Sequence, residues 1–180
     1  MVLAFGDSLT AGFGVKDEES YPSQLQLKIT SAGLPHEVIN AGVSGDTTAG
    51  GVRRIRWLMK HNPDIVILAL GANDGLRGLS VDEMRGNLET MIEICSEHKA
   101  RILLAGMKAL PNYGEDYMNA FESVFPELAG KYNLTFLPFL LEGVAGEREH
   151  TQPDGLHPVA SGYRIVTELV WKTLQPMLQK

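Results

Sequence analysis

Residues 65–70 read Ile-Val-Ile-Leu-Ala-Leu. A run this short, continuous and rich in β-branched side chains suits a strand buried on both faces. Burial on both faces requires a covering layer above and below, which predicts a parallel sheet sandwiched between helices. The rest of the chain agrees. Extended runs are predicted at residues 2–5, 36–41, 64–70, 101–107 and 134–139. Helical stretches are predicted at 21–30, from Asp46 or Thr47 to about 60, from Ser80 to about 98, at 115–132, and from Pro158 to about 175. Leu25, Leu27 and Ile29 supply the apolar positions of the first helix, Ser80 and Glu83 have the spacing of a capping box, and proline suits the first position of the last helix. Five strands alternating with five helices give an α/β fold of three layers, α/β/α. Its five-stranded parallel sheet takes the flavodoxin-like order 2-1-3-4-5, and the switch point falls between strands one and three.

Composition narrows the class further. At 180 residues the chain is read as one domain spanning 1–180. Acidic residues outnumber basic ones, 22 to 16, for a net charge of −6, so no nucleic-acid partner is expected. The short basic cluster Arg53, Arg54, Arg56 reads as a solvated helix face. Cys95 is the sole cysteine, which excludes an internal disulfide and a cysteine-rich metal site; among Met91, Ile92 and Ile94 it reads as a buried structural thiol. No apolar run is long enough for a membrane span. The first strand begins almost at Met1, as in an exported protein whose leader has been removed.

Ligands of an open α/β sheet bind beyond the carboxyl ends of its strands, and that edge collects a specific set of polar residues. Ser8 follows strand one, Gly45 strand two, Asn73 strand three, and Asp154 and His157 strand five; Ser8 and Asn73 flank the switch point. Taken singly, each has a plain structural reading: Ser8 as a helix cap, Asn73 in a turn, Asp154 capping the turn before His157. Taken together they form a nucleophilic site. Ser8 would attack, and His157 would be its base. Asp154, three residues earlier, would reach the imidazole across one helical turn and fix its tautomer. The Ser8 and Gly45 backbone N–H groups and the Asn73 amide would bind an oxyanion. Gly75 and Leu76 after strand three, and Leu110, Pro111, Asn112 and Tyr113 after strand four, are expected to form the substrate wall. The chain has no G-x-S-x-G elbow.

Residues 6–10 (Gly-Asp-Ser-Leu-Thr), 42–47, 71–74 and 154–158 resemble, in order, the four blocks of the SGNH/GDSL hydrolases, with Ser8, Gly45, Asn73 and His157 in the signature places. Residues 71–78 and 110–114 resemble the bacterial arylesterase and thioesterase I/lysophospholipase L1 branch of that family. The resemblance implies a monomer-sized serine esterase, free of metal and cofactor, acting on small acyl or aryl esters and often on thioesters and lysophospholipids. It also implies a periplasmic or secreted location.

Three rival readings stand against it. A metal-dependent phosphoesterase would use Asp7, Asp154 and His157 as ligands, and chelation would abolish its activity. A carbohydrate O-acetylesterase of the same superfamily would share every catalytic residue, but its site would present more polar and stacking groups than these leucine-bearing loops. A binding module would have no use for the serine, asparagine and Asp/His pair on one edge.

Overall fold

The computed structural model describes residues 1–179. Five parallel strands, β1 (Val2–Gly6), β2 (Val38–Gly42), β3 (Ile65–Ala69), β4 (Arg101–Ala105) and β5 (Thr135–Leu137), form one sheet in the order β2-β1-β3-β4-β5. Every residue of β1 and β3 is buried, as the unbroken apolar run requires, while the edge strand β2 is partly exposed along its length. Among the described residues there are seven α-helices: α1 (Ser8–Ala11), α2 (Tyr21–Ser31), α3 (Thr48–Leu58), α4 (Ala72–Leu76), α5 (Val81–Glu97), α6 (Glu115–Lys131) and α7 (Ala160–Leu178). Helices α2 and α7 pack together, α3 packs on α5, and α5 on α6. These are the two groups that right-handed crossovers place on opposite faces of a sheet in this order.

Two of the seven, α1 and α4, are single turns that the helical periodicity does not reveal. Each begins within three residues of the end of a central strand. The sheet register explains how α1 fits there: Gly6 lies beside both Gly42 and Ala69 at the ends of three neighbouring strands. A Cβ on Gly42 would fall on the backbone of Thr10 and Ala11, and one on Gly6 would meet the Thr10 side chain. Missing side chains at these two positions let α1 lie directly on the strand ends.

Other expectations are corrected. Leu27 is exposed, and α2 instead buries Tyr21, Pro22, Leu25 and Ile29. Strands four and five end earlier than expected, at Ala105 and Leu137: the Gly106 N–H still donates to the Leu137 carbonyl (2.8 Å), but the chain bends at Pro138, which has no N–H to give, and the Gly106 carbonyl accepts from the Leu140 N–H (3.0 Å) instead. The last helix starts at Ala160 rather than Pro158 and continues through Pro176 to Leu178. Pro158 instead forms an antiparallel bridge with Thr151, with the Gln152 N–H donating to the His157 carbonyl (2.7 Å) and the Val159 N–H to the His150 carbonyl (2.9 Å). This folds residues 150–159 back on themselves. Arg54 is not part of a solvated face; its contacts lie at the carboxyl edge of the sheet.

The free edge of β2 is dressed by side chains. Its odd-numbered neighbours bond toward β1, as Glu37 and Val43 do, so Val38, Asn40 and Gly42 face outward. The Val38 N–H donates to Gln26 Oε1 (2.7 Å) and the Gly42 N–H to Asn40 Oδ1 (3.0 Å), while Gln26 Nε2 donates to the His36 carbonyl (3.2 Å). Cys95 is buried beside Met59, and burial pushes its thiol up to about 12, consistent with a structural role.

Candidate active site

Asp7 leaves β1 and caps α1, its Oδ1 accepting from the Leu9 N–H at 2.9 Å. Ser8 is thus the first residue of a helical turn whose start is fixed by a buried carboxylate. Tyr163 of α7 braces the turn from below, its hydroxyl donating to the Ser8 carbonyl at 3.4 Å. The Ser8 side chain points the other way, and its Oγ lies 2.9 Å from His157 Nε2.

Asp154 Oδ2 lies 2.6 Å from His157 Nδ1, and Asp154 Oδ1 accepts from the backbone N–H groups of Leu156 (2.9 Å) and His157 (3.0 Å). Carboxylate and imidazole therefore meet as expected, but through a side-chain-to-backbone turn rather than a helical one. Partial burial works against the charge on Asp154, yet the three hydrogen bonds outweigh it and hold the carboxyl down to about 2. An ionised carboxylate only accepts, so Nδ1 carries the proton and Nε2 is left to accept from the Ser8 hydroxyl. The Phe13 ring leans on the imidazole at 4.7 Å between centroids. Gln152 ties the same region together, its Nε2 donating to the Phe13 carbonyl (2.8 Å) and the Pro158 carbonyl (3.0 Å).

Gly45 sits in the turn after β2 with φ of 80°, a backbone conformation open to glycine at little cost. Arg77 donates to its carbonyl at 2.9 Å. Arg54 fixes the turn from behind: Nε donates to Asp46 Oδ2 (2.7 Å), Nη1 to the Ala41 carbonyl (2.7 Å) and Nη2 to the Gly6 carbonyl (2.8 Å), with the guanidinium over the Phe5 ring. One side chain thus joins the ends of β1 and β2 to the Gly45 turn. Asn73, on α4, donates from Nδ2 to Asp7 Oδ2 at 3.3 Å. Its neighbour Asp74 accepts from the Thr48 N–H (2.9 Å) and hydroxyl (2.6 Å), tying α4 to the start of α3.

Ser8, Gly45, Asn73 and His157 all line one cavity of about 670 Å³; Asp154 stands behind the imidazole. Leu76 and Leu110 line it as expected. Gly75, Pro111, Asn112 and Tyr113 stand outside the lining. Gly75 faces Phe121 of α6, and the Tyr113 ring lies against Gly78 and Tyr117, its hydroxyl donating to the Leu76 carbonyl at 3.3 Å. Tyr113 therefore braces the Leu76 loop from outside. The wall is completed by Phe13, Met107, Phe139, Leu141 and Leu156, which the sequence reading did not single out. Met107 and Phe139 follow strands four and five on the same carboxyl edge, so the rule that located Ser8 and Asn73 reaches them too. Among the described residues no three His, Cys, Asp or Glu side chains gather as a metal site.

With this geometry in place, comparison with known proteins gives consistent results. The sequence model of the GDSL-like lipase/acylhydrolase family matches residues 4–165. Esterase TesA of Pseudomonas aeruginosa is 37% identical over 178 residues, covering 98% of this chain and 89% of that protein. An arylesterase of Vibrio mimicus is 37% identical over 174 residues, 96% of this chain and 87% of the other. The thioesterase 1/protease 1/lysophospholipase L1 of Escherichia coli K12 is 34% identical over 178 residues, 98% of this chain and 84% of that one. The crystal structure of TesA superposes with a TM-score of 0.94 at 37% identity, covering 98% of both chains.

Proposed function

The chain belongs to the GDSL-like lipase/acylhydrolase family, and on that premise we propose that it hydrolyses carboxylic esters through an acyl-enzyme on Ser8. What carries this is the unbroken relay from Asp154 through His157 to Ser8, at 2.6 and 2.9 Å, opening on a mostly apolar cavity. Ser8 Oγ bonds to the ester carbonyl carbon as its proton passes to His157 Nε2. The carbonyl π pair moves onto oxygen, and that oxyanion is met by the Ser8 and Gly45 N–H groups and the second N–H of Asn73. Collapse re-forms the carbonyl and breaks the bond to the alcohol or thiol, which leaves with the proton from His157. Water, deprotonated by the same imidazole, then releases the acid and restores Ser8. Asp154 stays ionised throughout and stabilises the imidazolium.

The apolar lining, with Leu76 and Leu110 supported by Phe139 and Leu141, favours short-to-medium acyl or aryl esters, with thioesters and lysophospholipids as further substrates of the same site. Each buried methylene adds at most about 0.8 kcal/mol until the cavity is full, so activity rises with chain length and then falls. From the family resemblance we place the protein in the periplasm or outside the cell. Among the described residues no helix is long and apolar enough to cross a membrane.

The test is covalent trapping. A p-nitrophenyl alkylphosphonate should release one equivalent of nitrophenol, inactivate the protein and leave its mass on the peptide that contains Ser8. Inactivation with the label on another residue, or hydrolysis that survives complete labelling of Ser8, would remove Ser8 from the reaction.

A further inference from the structure

Asp7 lies at the centre of the site without a role in the relay. It is completely buried, yet it is not a spare cap: one oxygen holds the Leu9 N–H, and the other takes the Asn73 amide. An amide side chain is pseudo-symmetric, and its NH₂ and carbonyl ends can exchange by a flip about χ2 unless a neighbour distinguishes them. An ionised carboxylate makes that distinction, because it accepts and cannot donate. With Nδ2 held against Asp7 Oδ2, the second N–H of the same nitrogen is the one left for the cavity.

We propose that Asp7 is a positioning residue for the oxyanion donor: its carboxylate fixes the Asn73 amide with nitrogen toward the site. The proposal rests on the reading of Asn73 as an oxyanion donor and adds what holds it in that state. When Asp7 is protonated, or replaced by a side chain that can donate, the reversed amide, carbonyl toward the cavity, becomes equally well paired. That orientation opposes an oxyanion instead of binding it.

The surroundings make this switch accessible. Burial pushes the Asp7 carboxyl up to about 6, against the opposing pull of the Leu9 N–H, the Asn73 amide and the His157 ring; Asp46 adds to the rise. The phenols that face it from α2 and α7, Tyr21 and Tyr163, are themselves held in the neutral form by burial. The Arg54 guanidinium lies on the far side of the Gly6 carbonyl, engaged by Asp46. Among the described residues no cation is bonded to Asp7 as it meets the pH range of an assay.

The test is a double-mutant cycle on kcat with a p-nitrophenyl ester, using Asp7→Asn and Asn73→Ala. Asp7→Asn should lower kcat about tenfold or more with KM little changed, and the same substitution in the Asn73→Ala background should lower it no further. Equal factors in both backgrounds would make Asp7 merely structural and overturn the proposal. If Asn73→Ala alone leaves kcat untouched, the oxyanion reading of Asn73 fails instead, a separate outcome. Should Asp7→Asn not fold, the acid limb of kcat decides. The acid limb should be steeper by one proton, the one on Asp7, in the protein with both native residues than in Asn73→Ala. Limbs of the same slope in the two proteins would overturn the assignment.

Discussion

Ser8 and His157 meet at 2.9 Å, yet the segments that present them are built by different means. On the serine side the supports are core: Asp7 and Thr10 are fully buried, α1 rests on the glycines that end β1 and β2, and Tyr163 reaches in from α7. On the histidine side they are mostly local. Residues 150–159 are pinned by their own bridge and by Asp154 bonding the next turn, with Gln152 and the Phe13 ring as cross-links to the α1 region. Ser8 therefore inherits its position from the sheet, whereas His157 owes its position to a loop that a few hydrogen bonds define. Loops held this way open at lower free energy than core elements.

The largest effect separates chemistry from architecture. Ser8→Ala removes a hydroxyl from a segment whose supports are all backbone or belong to other residues. It should lower kcat by about 10⁶-fold with an unchanged thermal midpoint. A folded variant that keeps most of its activity breaks the comparison at its root. Asp154→Asn attacks the other segment, where one carboxylate both orients the imidazole and holds the loop. A loss of roughly 10⁴-fold in kcat is expected, together with faster hydrogen exchange confined to residues 150–159. Exchange unchanged there would mean that the bridge alone holds the loop.

The two aspartates also respond to pH in opposite senses. Asp7 is raised to about 6, so its contribution to stability is complete below the ordinary carboxylate range and is lost as pH rises through about 6. This pH-dependent part is on the order of 3 kcal/mol. Asp154 is lowered to about 2, so its contribution is present above the ordinary range and disappears as pH falls through about 2. Denaturant unfolding between pH 4 and 8 should show the decline with rising pH in the native protein and not in Asp7→Asn; parallel curves would contradict the buried-charge account. The smallest effect is expected from Gln152→Ala. Loss of its bonds to the Phe13 and Pro158 carbonyls should slow kcat by about tenfold through misplacement of the base, with little change in midpoint. An unchanged kcat would show that the loop positions His157 without its cross-link to α1.

The same division explains what could be read from the sequence. Strand order and the edge that carries the site follow from β-branched runs alternating with helical stretches, because backbone pairing and crossover handedness leave few alternatives. Ser8, Gly45, Asn73, Asp154 and His157 were legible for the same reason, each following a strand on one edge. The misplaced details depend on partners distant in the chain. Arg54 looks like any surface arginine until β1, β2 and Asp46 surround it. Tyr113 looks like a wall residue until Gly78 and Tyr117 receive its ring. Pro158 fits a helix start by propensity, but the pairing of 150–152 with 157–159 claims it first.

The dressed edge of β2 bears on how this protein behaves when crowded. A strand at the margin of a sheet is a template on which a neighbouring chain can add its own strand. Here the outward N–H groups of Val38 and Gly42 are already taken by Gln26 and Asn40, leaving that of Asn40 between them. An incoming chain would have to displace two side-chain caps before it could form a ladder. The exposed Ile39 and Val43 thus sit on a margin where two outward donors are already engaged, which raises the cost of adding a strand there.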